Sequence, residues 1–375
     1  MERWVVKKIL IYRLGSLGDT IMVLPCFRRI REVYPDAHIT VLTNKPVASK
    51  AAPLDAVIGG IGLYDDLIEY PVHTRNPSAL YRIQRKVKKG QFDLVINLNA
   101  PRTALVSRRD RLFFTSAGIR NLIGFTDGED FEPVKDLSTG LYEPEALRIA
   151  RRLAPIGIPD ISGDEYWDLK FTDQEEKQTT SVLSPLSGSA FITIGLGTKQ
   201  ETNHWGTDRW KMLVAALCQR YPAIWIVAIG APDEYDEVAR LQPVAGNRFL
   251  NLCGKASPRV AASVIKRARL YIGHDSGPIH MAGAVGTPLV GIYSARNVPG
   301  LWYPRGKDNR ILWHQVPCTG CQRTVCYDQQ RRCIRSIMVE EVIDAVAGFM
   351  QMGQQMHQET PLEFSDKVHT GQIVF

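Results

Sequence analysis

The sequence predicts an α/β protein built from two doubly wound domains with a cleft between them. Apolar runs of strand length alternate with stretches of helix length along 375 residues, a pattern typical of parallel sheets covered by helices. The alternation stops in a polar stretch near the middle of the chain and then begins again. The length is sufficient for two separate apolar cores. Two successive sets of βαβ units therefore predict two domains.

The first half opens with a βαβ unit. An apolar strand at residues 9–12 leads through a turn at residues 13–20 into a helix that ends near Val33. Further strands are expected at residues 38–43, 67–70, 92–98 and 121–125, and a further helix at residues 148–153. Residues 184–189 have the composition of a linker, and we expect the domain boundary between about Phe171 and Ser189, with domains at residues 1–180 and 181–350.

The second half repeats the same order of elements. Strands are expected at residues 190–194, 223–229, 248–252, 269–272 and 289–293, with helices at 207–220, 232–241, 258–268 and directly after residue 277. Residues 351–375 are polar and lack a clear period. This tail is expected to be poorly ordered or to lie against the first domain.

Composition and charge restrict the class of partner. An apolar fraction of 45% and a formal net charge of +7 are those of a soluble protein with anionic partners, such as a phosphorylated glycolipid or an anionic membrane surface. The basic runs at residues 82–89 and 108–111 lack interleaved aromatic residues, so nucleic acid is not expected. No apolar run could span a bilayer, and residues 1–8 lack a signal-peptide pattern. We expect a cytoplasmic protein that can contact the inner membrane peripherally.

Residues 273–284, which read GHDSGPIHMAGA, lie between two apolar strands and contain the most specific pattern in the chain. The order strand, polar turn, helix places free N–H groups and the positive end of a helix dipole at a sheet edge, where a pyrophosphate can bind. Asp275 and Ser276 can cap the helix or hold a ligand hydroxyl, and Gly277 permits a close approach to that ligand. His280 is either a ligand contact or a hydrogen-bonded core residue. The turn is predicted to be an anion site.

Two segments resemble signatures of the bacterial heptosyltransferases, glycosyltransferase family 9. Residues 275–284 are similar to the donor-site string DSGPxHxAxA, and residues 13–21 (RLGSLGDTI) are similar to the amino-terminal signature. The resemblance covers about residues 8–345. It implies a GT-B architecture and an inverting transfer that requires no cofactor. The implied partners are a nucleoside-diphosphate sugar, most often ADP-heptose, and an anionic glycolipid or saccharide acceptor, usually the lipopolysaccharide inner core.

The same resemblance implies roles in the first domain. Asp19 is expected to be the general base, because a sugar hydroxyl is a poor nucleophile until its proton is removed. The alternative is an acidic residue that only stabilises the helix terminus. Arg13 and Gly18, from the same signature, are assigned to the acceptor side.

The loop at residues 195–206 resembles the family's phosphate-binding loop but differs from it at one position. The family lysine two residues before the tryptophan is Asn203 here, and an amide cannot supply a charge to the leaving diphosphate. Lys199 is the nearest replacement, unless it is simply a solvated loop lysine. Thr198 is expected to donate to a phosphate.

Three further donor contacts are predicted after later strands. Glu234 is expected to accept hydrogen bonds from ribose hydroxyls, although an acidic residue also suits an ordinary first helical turn. Gly254 and Lys255 are expected to lie beside the nucleotide base.

A cysteine-rich insert occupies residues 317–333. Its four cysteines are Cys318, Cys321, Cys326 and Cys333. They could enclose a structural, tetrahedral zinc or iron ion, or they could be reduced thiols that pack a loop, since disulfides are disfavoured in the cytoplasm. The later spacings are not those of a standard zinc ribbon, although many members of the resembled family carry a similar insert. We predict a structural role in either case.

Two other functions remain open at this point. Asn203 would suit a sugar-nucleotide-binding protein without catalytic activity. A UDP-sugar epimerase shares the two-domain architecture, but the several carboxylates and histidines that it needs in the cleft are not evident in this sequence.

Overall fold

The computed structural model describes residues 6–45, 52–71, 76–100, 103–125, 132–307 and 309–358. Within these ranges the chain forms two parallel β-sheets, one from each half of the sequence. Every helix in the described ranges is too short or too polar to cross a lipid bilayer.

The first sheet has five strands among the described residues. They are β1 (Lys8–Tyr12), β2 (His38–Asn44), β3 (Asp66–Tyr70), β4 (Leu94–Asn97) and β5 (Asn121–Ile123). Their spatial order is β3-β2-β1-β4-β5, and every neighbouring pair is parallel. The order reverses between β1 and β4, the position at which doubly wound sheets bind ligands beyond their carboxyl ends.

The second sheet repeats this topology with one more strand. Its strands are β6 (Phe191–Gly195), β7 (Trp225–Ala228), β8 (Phe249–Asn251), β9 (Tyr271–His274), β10 (Leu289–Tyr293) and β11 (Arg310–Trp313). The order β11-β10-β9-β6-β7-β8 is again fully parallel. Its reversal lies between β6 and β9, directly below the two Gly-rich segments singled out in the sequence. The doubly wound α/β prediction is confirmed.

Helices connect most of the strands. In chain order they are α1 (Leu17–Met22), α2 (Leu24–Val33), α3 (Asp55–Ile58), α4 (Pro77–Gly90), α5 (Ala104–Ser116), α6 (Glu145–Ala150), α7 (Asp173–Val182), α8 (Thr207–Arg220), α9 (Tyr235–Ala239), α10 (Gln242–Ala245), α11 (Pro258–Arg267), α12 (Gly277–Ala284), α13 (Arg332–Arg335) and α14 (Val339–Gln358). Helix α14 continues beyond the predicted start of the tail at residue 351, and residues 359–375 lie outside the described ranges.

The first sheet buries apolar side chains on both faces, because successive residues of a strand point to opposite sides. Ile9 and Ile11 of β1 belong to the core that contains α1 and α2. Leu10 packs instead with Ile83 of α4 and Phe114 of α5. Helices α4 and α5 therefore cover the opposite face of the sheet from α1 and α2.

The two halves are in direct contact. Helix α1 packs against α12, and a single apolar core includes Ile21 from the first half and Ile279 from the second. The range predicted for the domain boundary contains helix α7, which packs on α11 of the second half. The predicted boundary at residue 180 falls inside α7, so we propose that the second domain begins before this helix.

Candidate active site

A cavity of about 520 Å³ lies between the carboxyl edges of the two sheets. The first half contributes the start of α1 and Ala52, and the second half contributes the loops after β6, β7, β8, β9 and β10. The predicted site residues that line it are Gly18, Asp19, Thr198, Lys199, Asn203, Glu234, Gly254, Asp275, Ser276, Gly277 and His280. The structure thus brings segments far apart in the sequence to one place.

The turn after β9 presents the beginning of α12 to this cavity. Ser276 occupies the N-cap position, and its side chain forms no capping hydrogen bond, which favours the alternative that it contacts a ligand. The N–H groups of the first helical turn have no partner within the helix and carry the positive end of its dipole. A Cβ atom on Gly277 would lie 2.6 Å from Cδ2 of Leu17, so the glycine at the start of α12 permits close packing against α1.

Asp275 and His280 form a buried polar pair beside this turn. The Asp275 side chain is only 12% exposed and accepts a hydrogen bond from Nδ2 of Asn297 at 3.3 Å. Its Oδ1 lies 3.9 Å from Nε2 of His280. The buried Nδ1 of His280 has no hydrogen-bond partner among the described residues. Both side chains line the cavity and can hold a polar ligand group.

His274, the last residue of β9, holds the neighbouring loop in place. Its Nδ1 donates to the carbonyl of Leu196 at 2.9 Å, and its Nε2 accepts from the backbone of Trp205 and from Nε1 of Trp210, both at 3.3 Å. Burial lowers the pKa of His274 to about 3, so the ring is neutral at physiological pH. No role was predicted for His274, although it belongs to the same twelve-residue segment, residues 273–284.

The side chain of Asn203 links neighbouring segments of the active site by hydrogen bonds. Its buried amide donates through Nδ2 to the carbonyl of Asp275 at 3.0 Å and accepts through Oδ1 from the hydroxyl of Ser294. The side chain thereby joins the loop after β6, the turn after β9 and the segment after β10. It brings no charge to the cavity.

Two cations border the cavity instead. Partial burial lowers the pKa of Lys199, while the negative charge of Asp19 acts on it in the opposite direction. Arg296 donates through Nε and Nη2 to the carbonyls of Arg323 and Gln322 at 2.9 and 3.0 Å. No carboxylate in the described part of the chain forms an ion pair with it. Arg296 was not predicted, because it follows β10 in a segment without a recognised motif.

Asp19 faces these cations from the first half. Its Oδ2 accepts hydrogen bonds from the N–H and hydroxyl of Ser16 at 2.8 and 2.9 Å, and the side chain is 32% exposed. Arg13 is buried behind it, with Nη2 3.7 Å from Oδ1 of Asp19 and a bond from Nη1 to the carbonyl of Leu98. Arg13 is buried and is not among the lining residues of the cavity, so its position suits a role in holding Asp19, and its contact with an acceptor stays a prediction. A Cβ atom on Gly18 would lie 3.0 Å from Cδ2 of His280.

Glu234 lies between the loops after β6 and β7. A Cβ atom on Gly197 would lie 1.9 Å from its Oε1, and one on Gly230 would lie 2.3 Å from its Oε2. Its Oε2 also accepts from the N–H of Ala231 at 3.1 Å. The two glycines thus create the space in which this carboxylate borders the cavity.

Gly254 and Lys255 differ in their placement. Gly254 has a φ of +72°, and a Cβ atom there would lie 2.8 Å from Cα of Pro232. Lys255 is not among the lining residues, and its ammonium lies 5.2 Å from the ring centre of Tyr235. The predicted contact of Lys255 with a base is therefore not supported by its position.

The four cysteines of the insert converge but do not form a ligand set. Cys318, Cys321, Cys326 and Cys333 line a cavity of about 20 Å³. Burial raises the pKa of Cys333, and the neighbouring Cys318 and Cys326 raise it further. Within the described ranges, no three His, Cys, Asp or Glu residues are arranged to hold a metal ion. The thiols are free in this structure, and a metal stays a prediction.

The insert supports two segments of the active-site wall. The N–H and hydroxyl of Thr202 donate to the carbonyls of Thr324 and Arg323 at 3.3 and 3.0 Å. The N–H of Gly320 donates to the carbonyl of Ala295 at 2.8 Å, next to Arg296. The insert thus contacts the segments that carry Asn203 and Arg296.

Comparison with known proteins agrees with this arrangement. Residues 80–331 match the family described as glycosyltransferase family 9 (heptosyltransferase). Lipopolysaccharide heptosyltransferase 3 of Escherichia coli (strain K12) is 26% identical over 296 residues, which cover 74% of this chain and 80% of that protein.

Two solved structures show the same fold. The glycosyl transferase family 9 from Veillonella parvula DSM 2008 has a TM-score of 0.74 at 20% identity, covering 94% of this chain and 99% of that one. The E. coli ADP-heptose lps heptosyltransferase II has a TM-score of 0.64 at 16% identity, covering 92% and 99%. The predicted GT-B architecture is confirmed.

Proposed function

The chain belongs to glycosyltransferase family 9, the heptosyltransferases, and on that premise we propose that it transfers heptose from ADP-heptose to a saccharide hydroxyl. The proposed acceptor is a lipopolysaccharide core or a related glycoconjugate. One similar E. coli protein is described as an ADP-heptose lps heptosyltransferase and another as a lipopolysaccharide heptosyltransferase. These descriptions support the proposed donor and acceptor. The observation that carries the proposal is that Asp19 and the turn at residues 275–277, which come from different halves of the chain, line one cavity.

The donor diphosphate would bind at the start of α12. The free N–H groups there, together with Lys199 and Arg296, are suited to a dianionic group. Glu234 would accept hydrogen bonds from the ribose hydroxyls, as acidic residues after the second strand of such domains commonly do. Thr198 lies on the same loop as Lys199 and would donate to a phosphate.

The transfer itself would be a single displacement. The acceptor oxygen forms a bond to the anomeric carbon while the bond from that carbon to the phosphate oxygen breaks, so the configuration inverts. The acceptor proton passes to the Asp19 carboxylate, and the electron pair leaves with the diphosphate. Negative charge grows on the diphosphate in the transition state, where fixed cations and N–H groups stabilise it most. The step as proposed uses only groups of the protein.

Replacement of the base tests this function. Asp19→Asn keeps the size of the side chain and its hydrogen bonds from Ser16 but cannot accept a proton. Transfer from ADP-heptose should fall by about 10²–10⁴-fold, while ADP affinity measured by calorimetry should stay unchanged.

Asp233→Asn is the matched control, since this acidic residue also lines the cavity but follows β7. It should retain turnover within about tenfold. Near-parental turnover in Asp19→Asn would exclude Asp19 as the base. Binding of ADP-heptose without any product from the parent protein would favour the alternative of a non-catalytic binder.

A further inference from the structure

The outward surface of α4 and α5, here called the α4–α5 face, exposes an unusual number of large apolar side chains. Leu105 is 78% exposed and Leu112 68%, and Tyr81 and Leu80 on α4 are 61% and 41% exposed. Leu105 and Leu112 are two helical turns apart and therefore lie on the same side of α5. Side chains of this size at one surface signal an interaction site.

The same face is strongly basic. Its lysines and arginines are Arg82, Arg85, Lys86, Lys88 and Lys89 on α4 and Arg108, Arg109 and Arg111 on α5. Asp110 is the only acidic residue of the two helices. The resulting net charge of seven equals the formal net charge of +7 of the whole chain. The remainder of the protein is therefore neutral overall, and its excess charge is concentrated here.

The α4–α5 face is one rigid layer. Ile83 and Val87 of α4 and Phe114 of α5 are buried against the first sheet. Nε2 of Gln84 donates to the hydroxyl of Ser116 at 2.8 Å and links the helices to each other. The four apolar and eight basic residues are exposed, although the guanidinium of Arg109 pairs with Asp110 and that of Arg111 donates to the carbonyl of Phe125.

The position of this layer relates it to the active site. Helix α4 follows the carboxyl end of β3, and α5 follows the carboxyl end of β4. Their first turns, which carry Leu80, Tyr81 and Leu105, therefore lie at the sheet edge that borders the cavity. The basic residues of α4 extend from there along the same layer.

We propose that the α4–α5 face binds the surface of an anionic lipid bilayer. Leucine and tyrosine side chains would enter the interface, and the surrounding lysines and arginines would attract anionic headgroups. A second copy of the chain is a poor occupant, because two faces of net charge seven would repel each other. Single-stranded nucleic acid is also disfavoured, since Tyr81 is the only exposed aromatic residue of α4 and α5. Given the proposed function, this contact would bring a membrane-anchored acceptor to the cavity.

Vesicle sedimentation with the full chain tests the proposal. The protein should sediment with vesicles of phosphatidylglycerol and phosphatidylcholine, should be released by high salt, and should not bind phosphatidylcholine alone. Lys86→Gln combined with Lys89→Gln should lower partitioning by about fivefold per charge. Leu105→Ser combined with Leu112→Ser should lower it by about tenfold or more.

The matched controls are Lys177→Gln on α7 and Met212→Ser on α8, both exposed and remote in sequence from this layer. They should bind vesicles as the parent does. Equal binding to both vesicle types, retained binding in both double variants, or tighter binding to an oligonucleotide than to vesicles would overturn the proposal. Transfer to a water-soluble acceptor should be unchanged in the double variants. If the parent binds vesicles but transfers nothing, the proposed function fails while the membrane surface stands.

Discussion

Among the described residues that line the donor cavity, Lys199 and Arg296 are the two with a lysine or arginine charge, since Asn203 is neutral and both of its amide atoms are hydrogen-bonded. Lys199→Met should lower kcat more than it raises KM, because a charge aimed at the leaving group helps mainly where negative charge develops. Arg296→Met should act in the same direction, and the double variant should lose more than either. Loss of one such group typically costs about 10²–10³ in rate. Steady-state kinetics with ADP-heptose provide the measurement.

Arg323→Met is the control for Arg296, because Arg323 lies in the adjoining insert but pairs with Asp328 at the surface. It should leave both kinetic constants close to those of the parent. If Lys199→Met also matches the parent, Lys199 does not replace the family lysine. The leaving group would then depend on Arg296 and the N–H groups of α12.

His274 should make stability dependent on pH. Its pKa falls from 6.5 to about 3 on folding because the ring is buried. Below pH 6.5 the unfolded chain therefore binds a proton that the folded chain does not. The contribution of His274 to the free energy of unfolding is complete above pH 6.5. It decreases by up to about 1.4 kcal/mol per pH unit as the pH falls towards 3. Urea unfolding of the parent and of His274→Asn between pH 7 and 5 should show a shallower slope in the variant.

If the free energy of unfolding of His274→Asn changes with pH as steeply as that of the parent, another group dominates the pH dependence of stability between pH 7 and 5. His38→Asn is the control, since it removes an exposed histidine in place of a buried one. It should not reproduce the effect of His274→Asn.

Individual residues could be located from the sequence where the signal was local. Asp275, Ser276 and His280 lie at the cavity because a strand, a Gly-rich turn and a helix follow one another without interruption. Arg13 belongs to a similar signature, yet it is buried, since the sequence does not reveal the direction of a side chain at the end of a strand. Arg296 and Asn297 line the cavity from a segment after β10 that is hydrogen-bonded to the insert. That contact joins distant parts of the chain and leaves no local pattern.

Among the elements, the strongly apolar strands were predicted within a few residues, whereas β11 and α7 were not. Strand β11 is four residues long and lies at the edge of its sheet, so its sequence contains little apolar periodicity. Helix α7 is polar and buries only Thr179. Its Thr172–Glu175 capping box is visible in the sequence and was the available signal. The polar composition of residues 173–182 lacks the apolar period by which a packed helix is predicted.

We predict that the cysteine-rich insert at residues 317–333 supports the wall of the active site. Cys318→Ser combined with Cys321→Ser should lower the unfolding temperature and raise the KM for ADP-heptose, because the insert holds Thr202 and the segment before Arg296. The kcat at saturating donor should change little, since no residue of the insert takes part in the proposed transfer. Thermal unfolding and steady-state kinetics test both statements.

Metal content distinguishes the two interpretations of the same insert. A structural zinc or iron ion predicts close to one equivalent per chain that is lost in the double variant, whereas packed thiols predict less than about 0.1 equivalent. Cys218→Ser is the control, because this cysteine lies on α8 within the second core. An unchanged KM in the insert variant would contradict the supporting role.

At the scale of the whole molecule, the cavity depends on how the two halves are held together. Helices α1 and α12 meet at the cavity itself, where Gly18 and Gly277 permit close packing. A second connection lies at Arg259 of α11, whose guanidinium pairs with Glu175 and donates to the carbonyls of Val57 and Leu169. This one side chain joins α3 of the first half, the segment before α7, and α7 itself. Because Arg259 is buried, removal of its side chain should destabilise the protein more than the loss of a surface ion pair does.

Arg259→Met should therefore destabilise the protein substantially. The change leaves the Glu175 carboxylate without its partner and two buried carbonyls without a donor, and breaking a buried pair from one side typically costs about 3–5 kcal/mol. Arg267→Met is the matched control on the same helix, because Arg267 pairs with Glu176 but is 35% exposed. Its loss should cost at most about 1 kcal/mol. The free energies of unfolding in urea provide the comparison, and equal losses in the two variants would show that Arg259 contributes no more than a surface pair.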